Sequence, residues 1–397
     1  MLIRKTLIKI AMTFIALSMV LIPAYADDVL PGDEYQLDLA FETSNTTGDN
    51  IVLNAKSAIV VESSTGRILY EKNAYDKRAI ASTTKIMTAI VAIENGNMDD
   101  VVTVSAKAAY TNGSVIKLKM GEKIKMLDLL YGLMLESGND AAVAIAEHIS
   151  GSEEEYIKLM NKKAVELGVS NTHFVTVHGL DDEEHYSTAH DMAVITLACM
   201  KNEFFRKIVS TAETFIQNRS LRNTNDLLFT YEGTIGVKTG FTNNAGRCLV
   251  SAAKRNGMEI ITVVLGCEDK KSRFSDSRKL LDHVFEKYSL TPIIEKNHYI
   301  KEIELVKGKK SHVDLLSTDT IIIPISQEEK ANYEIKVTSP DKIKAPCKNG
   351  EIVGKLSVIY DGECIAESEL KIAENIEAKG FWDFLGDIFF SWREIIQ

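Results

Sequence analysis

The chain has 397 residues, 45% of them hydrophobic, enough to bury a large core spread over two domains. Its 46 basic and 56 acidic residues leave a formal charge of −10, which argues against a nucleic-acid partner, since phosphate binding asks for a basic face. Five cysteines, an odd and sparse set, do not make a disulfide scaffold; Cys347 and Cys364 fall in one late region and could pair, but separate buried thiols are the expectation.

Arg4, Lys5 and Lys9 give the chain a positive start, and an almost unbroken apolar run follows from Ile10 to Ile22. Pro23 then precedes Ala24-Tyr25-Ala26, a small-x-small pattern. Residues 1–26 therefore read as a signal peptide, the run being shorter than the roughly 20 residues a spanning helix needs. Residues 27–50 are acidic and polar and read as a loose leader.

Residues 51–291 read as one domain. Ala58-Ile59-Val60-Val61 and Arg67-Ile68-Leu69-Tyr70 are strand patterns around Ser63-Ser64-Thr65-Gly66, a hairpin turn. Helical patterns dominate from about Thr83 to His148; Ile86, Ile90 and Ile93 share a face, and 126–135 is a second apolar helix. Further helices are expected near 153–167, 190–200 and 276–288. Strands return at 235–239, 247–254 and 258–265, the last two joined by Asn256-Gly257. An early hairpin, helices, then three strands point to an α+β fold: an antiparallel sheet built from both ends of the domain, with a helical cluster inserted.

Residues 292–375 change character. Runs such as Lys301-Glu302-Ile303-Glu304-Leu305 alternate and are separated by turns including Asn349-Gly350 and Asp361-Gly362, which predicts a small all-β, sandwich-like spacer domain. Residues 376–397 read as an amphipathic helix. Asp383, Asp387, Ser391 and Glu394 form one stripe, while Phe381, Trp382, Leu385, Ile388, Phe389, Trp392 and Ile395 cover most of the rest. Such a helix can lie in a membrane interface or dock on its own domain; its two Trp and four Phe favour the membrane.

Three short motifs occur in order: Ser82-Thr83-Thr84-Lys85, Ser137-Gly138-Asn139 and Lys238-Thr239-Gly240. Singly each has a plain reading, as a helix cap at Ser82, a cap at Asn139-Asp140, or a strand entering a turn. Together they are the serine–lysine, serine–x–asparagine and lysine–threonine–glycine set of acyl-transfer serine enzymes. Ser82 at a helix start meets the positive end of the helix dipole, and Lys85, three residues on, shares its face. Lys85 must be partly neutral to act as base, and burial and Lys238 would both lower its pKa. Ser137 can relay a proton to the leaving amine, and Asn139 can hold Lys85 and the substrate amide. Lys238 and Thr239 suit a substrate carboxylate, and Gly240 lets substrate lie against the strand. The amides of Ser82 and Phe241 would form an oxyanion hole.

From about Ser57 to Tyr288 the chain resembles the low-molecular-mass penicillin-binding proteins, the serine-type D-Ala-D-Ala carboxypeptidases. The likeness extends to Asn171-Thr172-His173-Phe174, His178-Gly179-Leu180, His185-Tyr186-Ser187-Thr188-Ala189 and Gly236-Val237-Lys238-Thr239-Gly240-Phe241-Thr242. The resemblance implies a transpeptidase-like domain in which Ser82 is acylated by the penultimate D-alanine of a peptidoglycan stem peptide, with β-lactams as covalent inhibitors. It implies no cofactor, and an exported enzyme held on the outer face of the cytoplasmic membrane by residues 381–397. Two departures, Ile80 before the nucleophile motif and Thr176-Val177 before His178, touch loop geometry. His173, His178, His185 and His190 lack a zinc spacing and read as structural. A β-lactamase of the same fold is the alternative enzyme, with Asp181, Asp182, Glu183 and Glu184 as candidate deacylating carboxylates by position. A non-catalytic penicillin sensor is the alternative binding protein.

Overall fold

The computed structural model describes residues 51–386 apart from residues 328 and 361. Residues 1–26 and 27–50, expected as signal peptide and leader, and residues 387–397 of the expected tail helix lie outside the described residues. The described chain forms two compact units. The first contains the stretch to Val60, Tyr70–Lys254 and Ile261–Leu281; the second contains Val61–Leu69, Arg255–Ile260 and the chain from Asp282 onward.

The first unit is α+β. Strands β1 (Ser57–Glu62) and β2 (Ile68–Lys72) open the chain. Helices α1 (Lys85–Asn95), α2 (Met126–Leu135), α3 (Asn139–Ser150), α4 (Glu153–Glu166) and α5 (Ala189–Met200) follow. Then come a short hairpin, β3 (Glu213–Ile216) and β4 (Arg219–Arg222), and three long strands, β5 (Thr234–Thr242), β6 (Gly246–Arg255) and β7 (Met258–Cys267). Helix α6 (Lys270–Lys287) closes the series. The main sheet has the order β2-β1-β7-β6-β5, so the first and last strands of the domain meet at its centre. β1 and β7 run antiparallel, Lys56 N donating to Leu265 O and Ser63 N to Glu259 O. β5 and β6 are antiparallel from Thr234↔Ala253 to Thr242↔Gly246.

Local chemistry sets the helix ends. Ser152 Oγ accepts from Glu155 N at 3.2 Å and starts α4; Thr188 Oγ1 accepts from Asp191 N at 3.0 Å and starts α5. Gly151, at φ +81°, ends α3 in the left-handed region that glycine enters without steric cost. α1 differs from the one-faced helix expected. Its residues Lys85 to Ala92 are all buried, because it runs through the middle of the helical cluster. α6 begins six residues earlier than the periodicity suggested, because Asp269 Oδ1 accepts from Lys271 N and Ser272 N, both at 2.8 Å, and caps it.

Beyond the end of α6 the second unit is built of strands as far as Ile372, with a short 3-10 turn at Glu329–Ala331. A six-stranded sheet has the order Glu334–Thr338, Ile352–Tyr360, Glu363–Ile372, His312–Ser317, Tyr299–Val306, Lys342–Lys344, and a separate antiparallel pair joins Tyr288–Ile294 to Ile321–Ser326. Both contribute to one core that includes Leu315, Ile323, Leu356, Val358, Leu370 and Ile372. All five cysteines are free thiols: Cys347 is buried and Cys364 exposed, so the pairing considered for them is not made. Residues 381–386 are helical, with Phe381 70% and Trp382 80% exposed. Among the described residues, no helix is long and apolar enough to cross a membrane.

Candidate active site

Ser82 lies in a 3-10 turn, Ala81–Thr84, that leads into α1. Its hydroxyl makes no cap, which removes the plain reading of this serine. Ala81 has φ +48°, a left-handed conformation that strains an L-residue by about 1–3 kcal/mol. Side chains over-determine the turn and hold it there. Thr83 Oγ1 donates to Ile80 O at 2.6 Å, and Thr84 Oγ1 donates to Ala81 O at 2.8 Å. His185 Nδ1 accepts from Val175 N at 3.0 Å, so its proton sits on Nε2, which donates to Thr84 Oγ1 at 2.8 Å. A Cβ at Gly179 would come within 1.9 Å of Ala81 O, so only glycine fits after His178.

Lys85 is fully buried and reaches three oxygens: Ser82 Oγ at 2.8 Å, Asn139 Oδ1 at 2.7 Å and His178 O at 2.9 Å. An ammonium donates to all three. A neutral amine has two N–H groups and one lone pair. The two carbonyl-type oxygens can only accept, so the hydrogens go to them and the lone pair faces the one group able to donate, the Ser82 hydroxyl. Deprotonated Lys85 is thus oriented as a base toward Ser82 and nothing else in the trio.

The second motif arrives on the turn between α2 and α3. Ser137, also left-handed at φ +61°, has a buried hydroxyl with no hydrogen-bond partner among the described residues. Such a group costs about 1–3 kcal/mol unless a substrate or water completes it. Asn139 is held by its own backbone and side-chain amides: N donates to Ser114 O and Nδ2 to Asn112 O, both at 2.7 Å. That fixes Oδ1 as the atom facing Lys85.

The third motif lies on edge strand β5. A Cβ at Gly240 would sit 3.0 Å from Ser82 N and 3.1 Å from Thr83 N, so glycine lets the strand lie directly against the nucleophile turn. Lys238 is buried, with Nζ donating to Thr239 O at 2.9 Å, and Thr239 Oγ1 meets Thr224 Oγ1 at 2.7 Å. Phe241 is half-buried, opposite Arg247 in the β5–β6 register, with that guanidinium 3.7 Å over its ring.

Three features of this region escaped the sequence reading. His178 serves Lys85 through its carbonyl, while burial, and then the Lys85 charge, push its imidazole down to about 3. It stays neutral and adds no charge beside the lysine. Arg273 is fully buried and donates from NH1 to Gly240 O at 3.2 Å, a second cation behind the strand. Its signal was available: Arg273, Ser277, Leu280 and Val284 fall at i, i+4, i+7 and i+11 on the buried face of α6, where a charge needs a reason. The third is the role of Asp140, which stands inside α3 rather than at its cap and accepts from Ile116 N and Leu118 N. The carboxylates Asp181, Asp182, Glu183 and Glu184 are exposed; Asp181 accepts from Thr242 Oγ1, and Asp182 accepts from Glu184 N at 2.8 Å. Burial pushes the thiols of Cys199 and Cys267 up, which suits inert core groups rather than nucleophiles.

Residues 43–269 match the family described as D-alanyl-D-alanine carboxypeptidase, and residues 288–378 match the penicillin-binding protein 5 C-terminal domain. The chain belongs to the D-alanyl-D-alanine carboxypeptidase family. It is 39% identical over 351 residues to the D-alanyl-D-alanine carboxypeptidase DacF of Bacillus subtilis, covering 86% of this chain and 90% of that one. It is 34% identical over 360 residues to the D-alanyl-D-alanine carboxypeptidase DacC of Escherichia coli, with coverage of 86% and 90%. Among solved structures, penicillin binding protein 5 from Haemophilus influenzae is similar with a TM-score of 0.72 at 30% identity, covering 83% of this chain and all of that one. The chain is thus a low-molecular-mass penicillin-binding protein with a transpeptidase-like α+β domain and a C-terminal all-β domain, and it is a serine-type D-Ala-D-Ala carboxypeptidase. As the family implies, its substrates are peptidoglycan peptides and its inhibitors β-lactams.

Proposed function

We propose that Ser82 is the residue acylated in this carboxypeptidase, with Lys85 as its base. The observation that carries the reading is the trio of oxygens around Lys85 Nζ, of which only Ser82 can give up a proton. Ser82 Oγ attacks the carbonyl carbon of the penultimate D-alanine as its proton passes to Lys85. The amides of Ser82 and Phe241 stabilise the oxyanion. Collapse breaks the C–N bond, and the proton reaches the departing amine through Ser137, whose free hydroxyl suits a relay. D-Alanine leaves, and water hydrolyses the ester with Lys85 again taking a proton. Asn139 orients Lys85 and the substrate amide. Lys238 and Thr239 bind the terminal carboxylate, and Gly240 lets the peptide extend along β5.

In this reading residues 51–291 are the catalytic domain and 292–375 the spacer. Residues 1–26 direct export, and 381–397 hold the enzyme on the outer face of the cytoplasmic membrane. Mass spectrometry after incubation with penicillin tests the nucleophile: one adduct per chain is expected on wild type, none on Ser82→Ala, and D-alanine release from a pentapeptide is lost with it. An adduct retained on the alanine variant would assign the nucleophile elsewhere. Penicillin turned over many times per second would favour the β-lactamase reading, and stable acylation without D-alanine release the sensor.

A further inference from the structure

The segment from Asn112 to Glu122 is held from two sides, and one of those sides is the β3–β4 hairpin, which carries none of the three motifs. From within, Asp140 Oδ1 accepts from Ile116 N at 3.0 Å and Oδ2 from Leu118 N at 2.9 Å. From the hairpin, Arg219 spreads its guanidinium over the same stretch. Nε donates to Ile116 O at 2.8 Å and NH2 to Lys117 O at 3.2 Å. NH1 and NH2 also make a bidentate pair with the Glu122 carboxylate at 2.7 and 2.8 Å. Side-chain exposures of 18% and 17% make this a sheltered pair rather than a loose surface contact. Lys117, between the gripped amides and carbonyls, sits at φ +61°, a conformation it keeps only while its neighbours are held.

The gripped segment in turn holds Asn139, whose N and Nδ2 are received by Ser114 O and Asn112 O. The hairpin is rooted on the other side of the same turn: Arg222 N donates to Glu136 Oε1 at 2.9 Å and Thr224 N to Leu135 O at 3.1 Å, just before Ser137.

We propose that Arg219, with Glu122, is a positioning residue for acylation: the β3–β4 hairpin clamps residues 112–122 so that Asn139 Oδ1 stays aimed at Lys85. This rests on the reading of Asn139 given above. The clamp touches no substrate. Loosening it lets Asn139 wander by tenths of an ångström to an ångström, and misplacements of that size cost up to about 100-fold in rate.

The test pairs hydrogen-exchange mass spectrometry with the rate constant of penicillin acylation, on the full chain. In Arg219→Gln, amides within 112–122 exchange faster and acylation slows about tenfold, while initial noncovalent binding changes by less than about twofold. Arg219→Lys, which keeps a charge toward Glu122 but not the fork to two carbonyls, recovers part of the rate. If Arg219→Gln folds poorly, Glu122→Gln replaces it and gives a smaller change in the same direction. Faster exchange with an unchanged acylation rate overturns the clamp, as does unchanged exchange. Asn139→Ala is measured alongside. Wild-type acylation in that variant would remove the reading of Asn139 on which the clamp depends. A slow Asn139→Ala beside an Arg219→Gln at the wild-type rate would remove the clamp alone.

Discussion

Lys85 Nζ lies within hydrogen-bond reach of two carbonyl oxygens and one hydroxyl, and this asymmetry makes the lysine's role testable. Lys85→Met removes the lone pair and leaves Asn139 Oδ1 and His178 O without their donor in a buried site. Loss of general-base catalysis slows acylation by about 10²–10⁴-fold, and the stranded carbonyls lower stability by about 1–3 kcal/mol each. Lys85→Arg separates the two effects. A guanidinium still donates to the carbonyls but cannot deprotonate, so stability is largely kept while acylation stays low. Stopped-flow acylation by a chromogenic β-lactam, beside a thermal melt, reads both. An arginine variant acylating within tenfold of wild type would mean that another base takes the Ser82 proton.

At the scale of elements, the turn into α1 is secured by a neutral imidazole, which ties the site to pH. His185 accepts from Val175 N through Nδ1 and donates through Nε2 to Thr84, and burial pushes its pKa from the usual 6.5 down to about 4. The unfolded chain therefore binds a proton that the fold refuses between those values. Stability is full above pH 6.5 and falls as the pH drops toward 4, by up to about 1.4 kcal/mol per pH unit for this one group. His185→Gln cannot titrate. Its melting temperature is expected to fall less steeply than that of wild type across the same window, whatever its starting value; parallel slopes would show that His185 is not the group responsible. The sequence displayed the elements themselves well, because periodicity and the Asn256-Gly257 turn are local signals. It displayed the three motifs because each is a contiguous string. It could not display His185 on Thr84, 101 residues apart, and it could mark Arg273 only as a charge on an apolar helix face, not as the donor to Gly240, 33 residues away, since those contacts exist only once the sheet and helices have met. The α6 start was missed for a smaller reason: one aspartate cap outweighed the apolar period.

For the whole molecule, the proposed hold of residues 381–397 on a membrane is constrained by charge. At −10 overall, with Asp383, Asp387 and Glu394 on the tail itself, attraction to anionic lipid is unfavourable, so any association must come from apolar burial. The described part of the tail presents that surface: Phe381 and Trp382 are mostly exposed, in an edge-to-face pair 5.5 Å apart, and Phe384 is 40% exposed. Asp383 accepts from Gly380 N at 2.7 Å at the start of this helix, so it is occupied as a cap as well as marking the polar stripe. Two consequences separate this mode from an electrostatic one. The chain without residues 1–26 should sediment with neutral phosphatidylcholine vesicles and remain bound in 1 M salt, where the Debye length is only about 3 Å. Deleting residues 381–397 should leave the protein in the supernatant with D-alanine release from a soluble pentapeptide within about twofold of wild type, since none of the proposed catalytic groups lies beyond Phe241. Binding that demands anionic lipid and washes off in salt would refute apolar anchoring, and a truncated chain that still sediments would place the anchor elsewhere.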